Sequence, residues 1–183
     1  MSVEARARRI KLMLFDVDGV LTDGRVFIHA DGTESKSFGI RDGIAMIWAQ
    51  RAGIKVGLLS ARMSVTTPQR AAQLGITLVY HGVNSKLTTY ETILGDLHLV
   101  DDEVAYMGDD IVDLGVLMRV GLSAAPADAV EEVRSRVRWV SRLKAGEGAA
   151  RELIELVLRS QNVWDGIVTT YLDKARVANT TDS

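Results

Sequence analysis

Short apolar runs alternate along this chain with segments of helical periodicity, and this alternation limits the possible folds more than any other feature. The first run, residues 10–15, is almost continuously apolar, as is typical of a strand that is covered on both faces. Strands that alternate with helices form a parallel sheet with crossover helices. We therefore predict an α/β fold, a Rossmann-like three-layer sandwich with a central parallel sheet. The other predicted strands are residues 55–59, 76–80, 104–107, 121–124 and 137–140.

Helices are predicted between these strands, where apolar residues recur every three or four positions. Asp42 is the expected N-cap of the first helix and Ser85 that of the third, because short polar side chains accept hydrogen bonds from the free N–H groups of a helix start. The predicted helices cover residues 42–51, 67–74, 86–97, 111–120, 127–136 and 148–161.

Residues 25–38 have a different pattern. The segments RVFIH and ESKSF flank Ala30-Asp31-Gly32, a sequence that is typical of a turn. Val26 and Ile28 fall on one face of the first segment, as expected of a strand with alternating faces. We predict a β-hairpin flap here, outside the central sheet.

The size and composition of the chain limit its function. Its 183 residues are enough for one domain, which we place at residues 1–172, with a polar and flexible tail at 173–183. A net charge of −2 gives no electrostatic reason to expect binding to nucleic acid or to an anionic membrane. No apolar run approaches the roughly 20 residues that cross a bilayer, and the charged N-terminus lacks the apolar core of a signal peptide. The absence of cysteine excludes thiol chemistry and agrees with a cytoplasmic location.

Polar residues follow four of the predicted strands at the point where each strand ends. Because the carboxyl ends of parallel strands meet at one edge of the sheet, where ligands bind, we expect these residues to lie close together. They are Asp16 and Asp18 after the first strand, Ser60 after the second, Lys86 at the helix start after the third, and Asp109 and Asp110 after the fourth.

Carboxylates that converge in this way repel one another unless a cation lies between them. Mg²⁺ prefers oxygen ligands and is commonly held by one or two carboxylates together with a substrate phosphate. A carboxylate beside such a cation can act as a nucleophile, and a second carboxyl two residues later can act as a general acid and base. Each residue taken alone is as well explained as a turn or capping residue, so the prediction rests on finding all four strand ends polar.

The segments FDVDGVLTDG, LLSARMS and GDDIVD, together with Lys86, resemble the four motifs of the haloacid dehalogenase-like phosphatases. The hairpin, FGIRDG, HGVNSKL and AGEGAARELIELVL are most similar to the capless branch that hydrolyses 3-deoxy-D-manno-octulosonate 8-phosphate in lipopolysaccharide-core sugar synthesis. The match extends over nearly the whole chain.

The resemblance implies a role for each of these residues. Asp16 is similar to the nucleophile and Asp18 to the general acid and base. Asp16, the backbone carbonyl of Asp18 and Asp109 match the ligands of Mg²⁺, and Ser60 and Lys86 match the phosphate-binding positions.

Three further positions are assigned by the resemblance. Asp110 matches an acid that orients the catalytic lysine, and we expect Asp113 to steady the loop. Ala61 replaces a glycine that the family usually has, so a positive φ at this position would be strained.

The substrate prediction depends on two arginines, since a guanidinium can bind the carboxylate of a sugar acid phosphate. Arg62 stands where the related branch for a nine-carbon sialic-type sugar phosphate often has an acidic residue, so Arg62 favours the eight-carbon substrate. A structural ion pair is the alternative role for Arg62. Arg151 is the second expected substrate-binding residue.

The spacing of the motifs predicts an open active site. A hairpin, one helix and one strand fill the interval between Asp16 and Ser60, and one helix and one strand fill that between Ser60 and Lys86, so no cap domain fits. The resemblance implies a homotetramer, in which the hairpin and the C-terminal segment of one subunit cover a neighbour's site.

Two alternatives to the eight-carbon phosphatase remain at this point. The chain could hydrolyse another sugar acid phosphate, such as the nine-carbon one, or small-molecule phosphates more broadly, or it could be a non-catalytic phosphatase-like interaction module. A signalling receiver domain also uses clustered aspartates and a lysine, but the late GDDIVD segment does not fit that class.

Overall fold

A six-stranded, fully parallel sheet forms the centre of the molecule. The structure is a computed structural model that describes the backbone of residues 1–180 and the side chains of residues 1–173. The predicted α/β class is therefore confirmed. The strands of this sheet are β1 (Leu12–Phe15), β4 (Lys55–Ser60), β5 (Leu78–His81), β6 (Val104–Met107), β7 (Leu122–Ala125) and β8 (Trp139–Val140). They lie side by side in the order β5-β4-β1-β6-β7-β8.

Helices cover both faces of the sheet. They are α1 (Val3–Ala7), α2 (Ile40–Arg51), α3 (Thr66–Gln73), α4 (Lys86–Leu97), α5 (Leu114–Leu117), α6 (Glu131–Arg134), α7 (Ala149–Ser160) and α8 (Trp164–Thr180). One face is covered by α1, α2, α3, α7 and α8 and the other by α4, α5 and α6, which gives the predicted three layers. Among the helices that the structure describes, we find no candidate for a membrane span.

The side chains of β1 show how the sheet serves two cores. Met13 and Phe15 pack with α2 and α7, whereas Leu12 and Leu14 pack with α4 on the opposite face. All four side chains are fully buried because successive residues of a strand point to opposite faces. This explains why residues 10–15 are apolar without a period of two.

The helix α8 is the main difference from the sequence prediction. Residues from 173 onward were expected to form a flexible tail, but the helix continues to Thr180, and residues 181–183 lie outside the described part. Trp48 of α2 lies 5.6 Å from the ring of Trp164 and 6.0 Å from that of Tyr171. These contacts join residues more than 100 positions apart in the sequence, so local periodicity did not indicate them.

Two predicted helices are shorter in the structure. Residues 111–120 form a 3₁₀ turn, Ile111–Asp113, followed by the single-turn helix α5, and residues 127–136 contain only α6. The prediction for α4 is confirmed, including its cap, because the Thr88 N–H donates to Ser85 Oγ at 3.2 Å.

The predicted hairpin is present outside the central sheet. Its strands β2 (Phe27–Ile28) and β3 (Glu34–Ser35) pair in antiparallel register, and a turn stabilised by the Gly32 N–H bond to the His29 carbonyl joins them. The hairpin and the helix α2 alone separate β1 from β4, and no cap domain is inserted.

Candidate active site

Asp16 and Asp109 meet at the carboxyl edge of the sheet because β1 and β6 are neighbours. Phe15 pairs with Met107, and the Asp16 N–H donates to the Met107 carbonyl at 3.0 Å, so the residues that follow both strands leave the sheet together. Gly19 makes this approach possible. Its φ is +88°, and a Cβ atom there would lie 2.1 Å from the Asp109 carboxylate.

Lys86 reaches the same point from the first turn of α4. Its ammonium lies 2.9 Å from Asp16 Oδ1 and 2.6 Å from Asp113 Oδ1, and all three side chains are buried. The pKa of the lysine is raised by the two carboxylates in spite of its burial, so its charged form is favoured. The structure thus brings a fixed positive charge against Asp16.

Asp113, and not Asp110, orients this lysine, which corrects the sequence prediction. Asp113 Oδ1 accepts hydrogen bonds from Lys86 and from the hydroxyl of Tyr106, and Oδ2 accepts from the N–H groups of Asp109 and Asp110 at 3.1 and 3.2 Å. Asp110 is exposed, and its carboxylate accepts from the Ile111 N–H at 2.7 Å as the N-cap of the 3₁₀ turn.

The turn after β6 explains why Asp113 and not Asp110 contacts Lys86. It brings the Asp113 side chain so close to Gly108 that a Cβ atom on Gly108 would lie only 2.5 Å from the Asp113 carboxyl carbon. The spacing of GDDIVD contains a signal for it, since Asp113 lies one helical turn after Asp109 and so can return to the strand end.

One oxygen from each of Asp16, Asp109 and Asp113 lies within 4.8 Å of the other two, a spacing that could hold a metal ion. Both Asp113 oxygens already accept two hydrogen bonds each, so Asp16 and Asp109 are the carboxylates that remain available. The backbone carbonyl of Asp18 accepts no hydrogen bond within the part of the chain that the structure describes.

The electrostatics of the site favour a cation. Burial, together with the nearby Asp113 carboxylate, raises the pKa of Asp16 to about 6, although Lys86 acts in the opposite direction. Burial and the neighbouring Asp16 and Asp113 raise the pKa of Asp109 to about 8. Excess negative charge among oxygen ligands is the environment that a hard divalent cation such as Mg²⁺ fits.

Ser60 ends β4 beside this cluster and is buried. Its Oγ accepts a hydrogen bond from the Arg62 N–H at 3.3 Å, so the hydroxyl lies within the turn that follows the strand. Ala61 does not have a positive φ, and the expectation that it might be strained is wrong.

The two arginines are engaged in ion pairs within the chain. Arg62 Nη2 donates to Glu34 of the hairpin at 2.6 Å, which is the structural alternative that the sequence left open. Arg151 pairs with Glu155 at 2.6 Å and lies over the ring of Trp48 at 4.9 Å, and no described contact joins its side chain to the site carboxylates. A role in substrate binding stays a prediction for both.

Asp42 is not the N-cap of α2, because that helix begins two residues earlier. Its buried carboxylate instead accepts the Arg151 N–H at 2.8 Å and so caps the start of α7, which has no side-chain cap of its own. This contact joins two segments that are distant in sequence, and the capping pattern of α2 could not indicate it.

Lys36 is the residue of the site that sequence reasoning missed. Its ammonium lies 2.7 Å and 3.0 Å from the two oxygens of Asp18, and its side chain is fully buried. The alternation of the hairpin strand contains the signal, since it places Glu34 and Lys36 on one face.

The arrangement can bind a phosphate and transfer it to a carboxylate. A lysine, a hydroxyl and a cation-binding pair of carboxylates face one edge, with a second aspartate two residues from the first. This is the site of a haloacid dehalogenase-like hydrolase, and residues 76–153 match the sequence model of that family.

Relatives narrow the class further. The chain is 39% identical over 163 residues to the 3-deoxy-D-manno-octulosonate 8-phosphate phosphatase of Escherichia coli K12, a match that covers 89% of this chain and 87% of the relative. The chain therefore belongs to the family of 3-deoxy-D-manno-octulosonate 8-phosphate phosphatases, and it is a phosphatase of the capless haloacid dehalogenase-like type.

Solved structures agree with this assignment. The phosphatase from Yersinia pestis superposes with a TM-score of 0.88 at 38% identity and covers 90% of this chain and 89% of its own. The phosphatase from Moraxella catarrhalis, in complex with magnesium, phosphate and KDO, superposes with a TM-score of 0.90 at 32% identity, over 92% of this chain and 97% of its own.

Proposed function

We propose that this protein removes phosphate from 3-deoxy-D-manno-octulosonate 8-phosphate through an aspartyl-phosphate intermediate, with Mg²⁺ as its cofactor. The observation that carries the proposal is the buried Asp16 carboxylate, which has Lys86 on one side and Asp109 on the other. The substrate comes from the family, whose Moraxella catarrhalis member was crystallised with KDO and phosphate. The reaction belongs to lipopolysaccharide-core sugar synthesis.

The residues present fit a magnesium ion. Asp16, Asp109 and the backbone carbonyl of Asp18 offer only oxygen, and burial has left both carboxylates with raised pKa values that a divalent cation would lower. When bound, Mg²⁺ supplies positive charge against the phosphate. Relatives from Moraxella catarrhalis and Haemophilus influenzae contain magnesium and cobalt, respectively.

Asp16 acts first, as the nucleophile. Lys86 and Ser60 hold the phosphate oxygens, Asp16 attacks the phosphorus, and the bond to the sugar oxygen breaks. Asp18, as general acid, donates its proton to that oxygen, so the sugar acid leaves as an alcohol. Asp113 keeps Lys86 charged and fixed during this step, because it binds the ammonium at 2.6 Å.

Water then hydrolyses the aspartyl-phosphate. The Asp18 carboxylate, which has lost its proton, takes one from the attacking water, and phosphate leaves from Asp16. Both aspartates return to their starting state, and the sum of the two steps is the hydrolysis of one phosphomonoester.

The site is open, so we also propose that neighbouring subunits complete it in a homotetramer. Phe27 and Ile28 on the hairpin are 60% and 78% exposed, and Ile111 and Val112 beside Asp110 are 58% and 60% exposed. Exposed apolar residues that cluster near a binding site are typical of an interaction surface.

A phosphate-release assay tests the substrate and the mechanism. We expect Mg²⁺-dependent release from the eight-carbon acid with a higher kcat/KM than from the nine-carbon sialic-type phosphate, and loss of turnover on chelation. Asp16→Asn should fold but have no activity, because the neutral amide cannot attack phosphorus. Turnover by this variant, or a preference for the nine-carbon acid, would contradict the proposal.

A further inference from the structure

The ion pair between Lys36 and Asp18 joins the hairpin to the proposed general acid. Most of the hairpin is exposed, yet the Lys36 side chain is fully buried and its ammonium contacts both Asp18 oxygens, at 2.7 and 3.0 Å. Asp18 is the one carboxyl group among the described residues that the Lys36 ammonium contacts, so the position of Lys36 depends on Asp18. No other side chain or backbone N–H among the described residues binds the Asp18 carboxylate.

A second contact holds the hairpin in the register that this pair requires. Glu34 lies two residues before Lys36, on the same face of the strand, and it accepts hydrogen bonds from Arg62 and Ser64 at 2.6 Å each. The hydrogen bonds from Arg62 and Ser64, with the nearby charges of Arg62 and Lys36, lower the pKa of Glu34 to about 2, so this carboxylate is charged at neutral pH. The hairpin is therefore fastened to the β1 loop and the β4 loop at once.

We propose that Lys36 is a positioning residue, which orients the Asp18 carboxyl group toward the leaving oxygen of the substrate. The proposal rests on the function proposed above, in which Asp18 is the general acid and base. The hairpin thereby contributes to catalysis within its own subunit, in addition to any cover that it gives to a neighbour.

The chemistry of the first step explains how Lys36 would act. When the phosphorus–oxygen bond breaks, the proton moves from Asp18 to the leaving oxygen and leaves a carboxylate behind. An ammonium that contacts both Asp18 oxygens, at 2.7 and 3.0 Å, limits the rotation of this carboxyl group and so keeps it directed at the leaving oxygen. A leaving group that is a poor base hardly needs the proton, so only substrates with basic leaving oxygens depend on this assistance.

Two aryl phosphates separate this role from a structural one. The ratio kcat/KM reports the first irreversible step, phosphoryl transfer, and so it is independent of the later hydrolysis of the intermediate. For Lys36→Met we expect kcat/KM to fall about tenfold or more with phenyl phosphate, a part of the full general-acid effect, and far less with p-nitrophenyl phosphate. Lys36→Arg, which keeps the charge, should restore most of the activity.

The matched control is Lys55→Met, which changes an exposed lysine at the amino end of β4 and should leave both kcat/KM values unchanged. Equal losses of kcat/KM with the two aryl phosphates in Lys36→Met would overturn the proposal. So would a rise in KM confined to the sugar acid phosphate, because that result makes Lys36 a ligand of the substrate carboxylate.

A double-mutant cycle with Asp18→Asn completes the test. If Lys36 acts through Asp18, then Lys36→Met should have almost no further effect in the Asp18→Asn background. An undiminished effect there would refute the proposal even if Lys36→Met alone loses activity.

The same cycle distinguishes a failure of the role proposed for Asp18 from a failure of the role proposed for Lys36. If Asp18→Asn does not alter the ratio of the two kcat/KM values, the proposed role of Asp18 itself is wrong. If Asp18→Asn alters the ratio and neither Lys36→Met nor a second neutral variant, Lys36→Gln, does so, only the inference about Lys36 fails.

Discussion

Replacement of Asp113 by asparagine tests the corrected arrangement of the site most directly. The Asp113 carboxylate is fully buried and accepts four hydrogen bonds, from Lys86, Tyr106 and the N–H groups of Asp109 and Asp110. Asparagine keeps the shape but has one accepting oxygen, so its NH₂ group must face either the lysine or the two N–H groups. At least one pair of buried donors then loses its acceptor.

The expected loss of stability follows from these contacts. A buried donor without an acceptor costs about 1–3 kcal/mol. Because Lys86 keeps Asp16 as a charged partner at 2.9 Å, we expect Asp113→Asn to lower the free energy of unfolding by about 1–3 kcal/mol, out of the roughly 5–15 kcal/mol of a typical domain. Activity should fall as well, because Lys86 is no longer fixed.

Urea unfolding without Mg²⁺ measures this loss, and Asp110→Asn provides the matched control. The control makes the same chemical change three residues earlier, at an exposed N-cap where asparagine is as suitable as aspartate, so its effect should stay within about 0.5 kcal/mol. Equal losses in the two variants would refute the argument. A larger loss of activity in Asp110→Asn would restore the role that the sequence first assigned to Asp110.

Three further predictions follow from the same geometry. Gly19→Ala should weaken Mg²⁺ binding by about tenfold or more in calorimetry, because its Cβ atom would lie 2.1 Å from the Asp109 carboxylate; Gly32→Ala, which shares a positive φ but has open space, should not. In the metal-free protein the Asp109 pKa of about 8 exceeds its unfolded value, so the folded state binds the extra proton and stability falls as pH rises from about 4 to 8. Saturating Mg²⁺ should therefore raise the melting temperature more at pH 8.5 than at pH 6, and a pH-independent difference would contradict the proposed ligands. Light scattering should give about four times the 20.0 kDa chain mass, and a fully active monomer would exclude the shared site.

Local patterns along the chain are enough to predict the parallel sheet and to place four candidate site residues at its carboxyl edge. Continuous apolar runs that alternate with amphipathic segments have few solutions besides a parallel sheet with helices on both faces. The strand ends of such a sheet lie together, so Asp16, Ser60, Lys86 and Asp109 could be assigned to one edge from their positions after strands alone. Both predictions use only the spacing of apolar and polar residues within short segments, which can be read without knowing the tertiary contacts.

Contacts between distant segments depend on how the helices, strands and loops pack, and no local pattern indicates them. Three contacts join residues that local periodicity does not relate: the ion pair of Asp113 with Lys86, the cap that Asp42 provides for α7, and the packing of α8 on Trp48. The pairing of Lys36 with Asp18 belongs to the same group, since it depends on how the hairpin lies over the β1 loop. A buried charge takes whichever partner the folded chain brings within reach, and the spacing of residues along the sequence does not determine that distance.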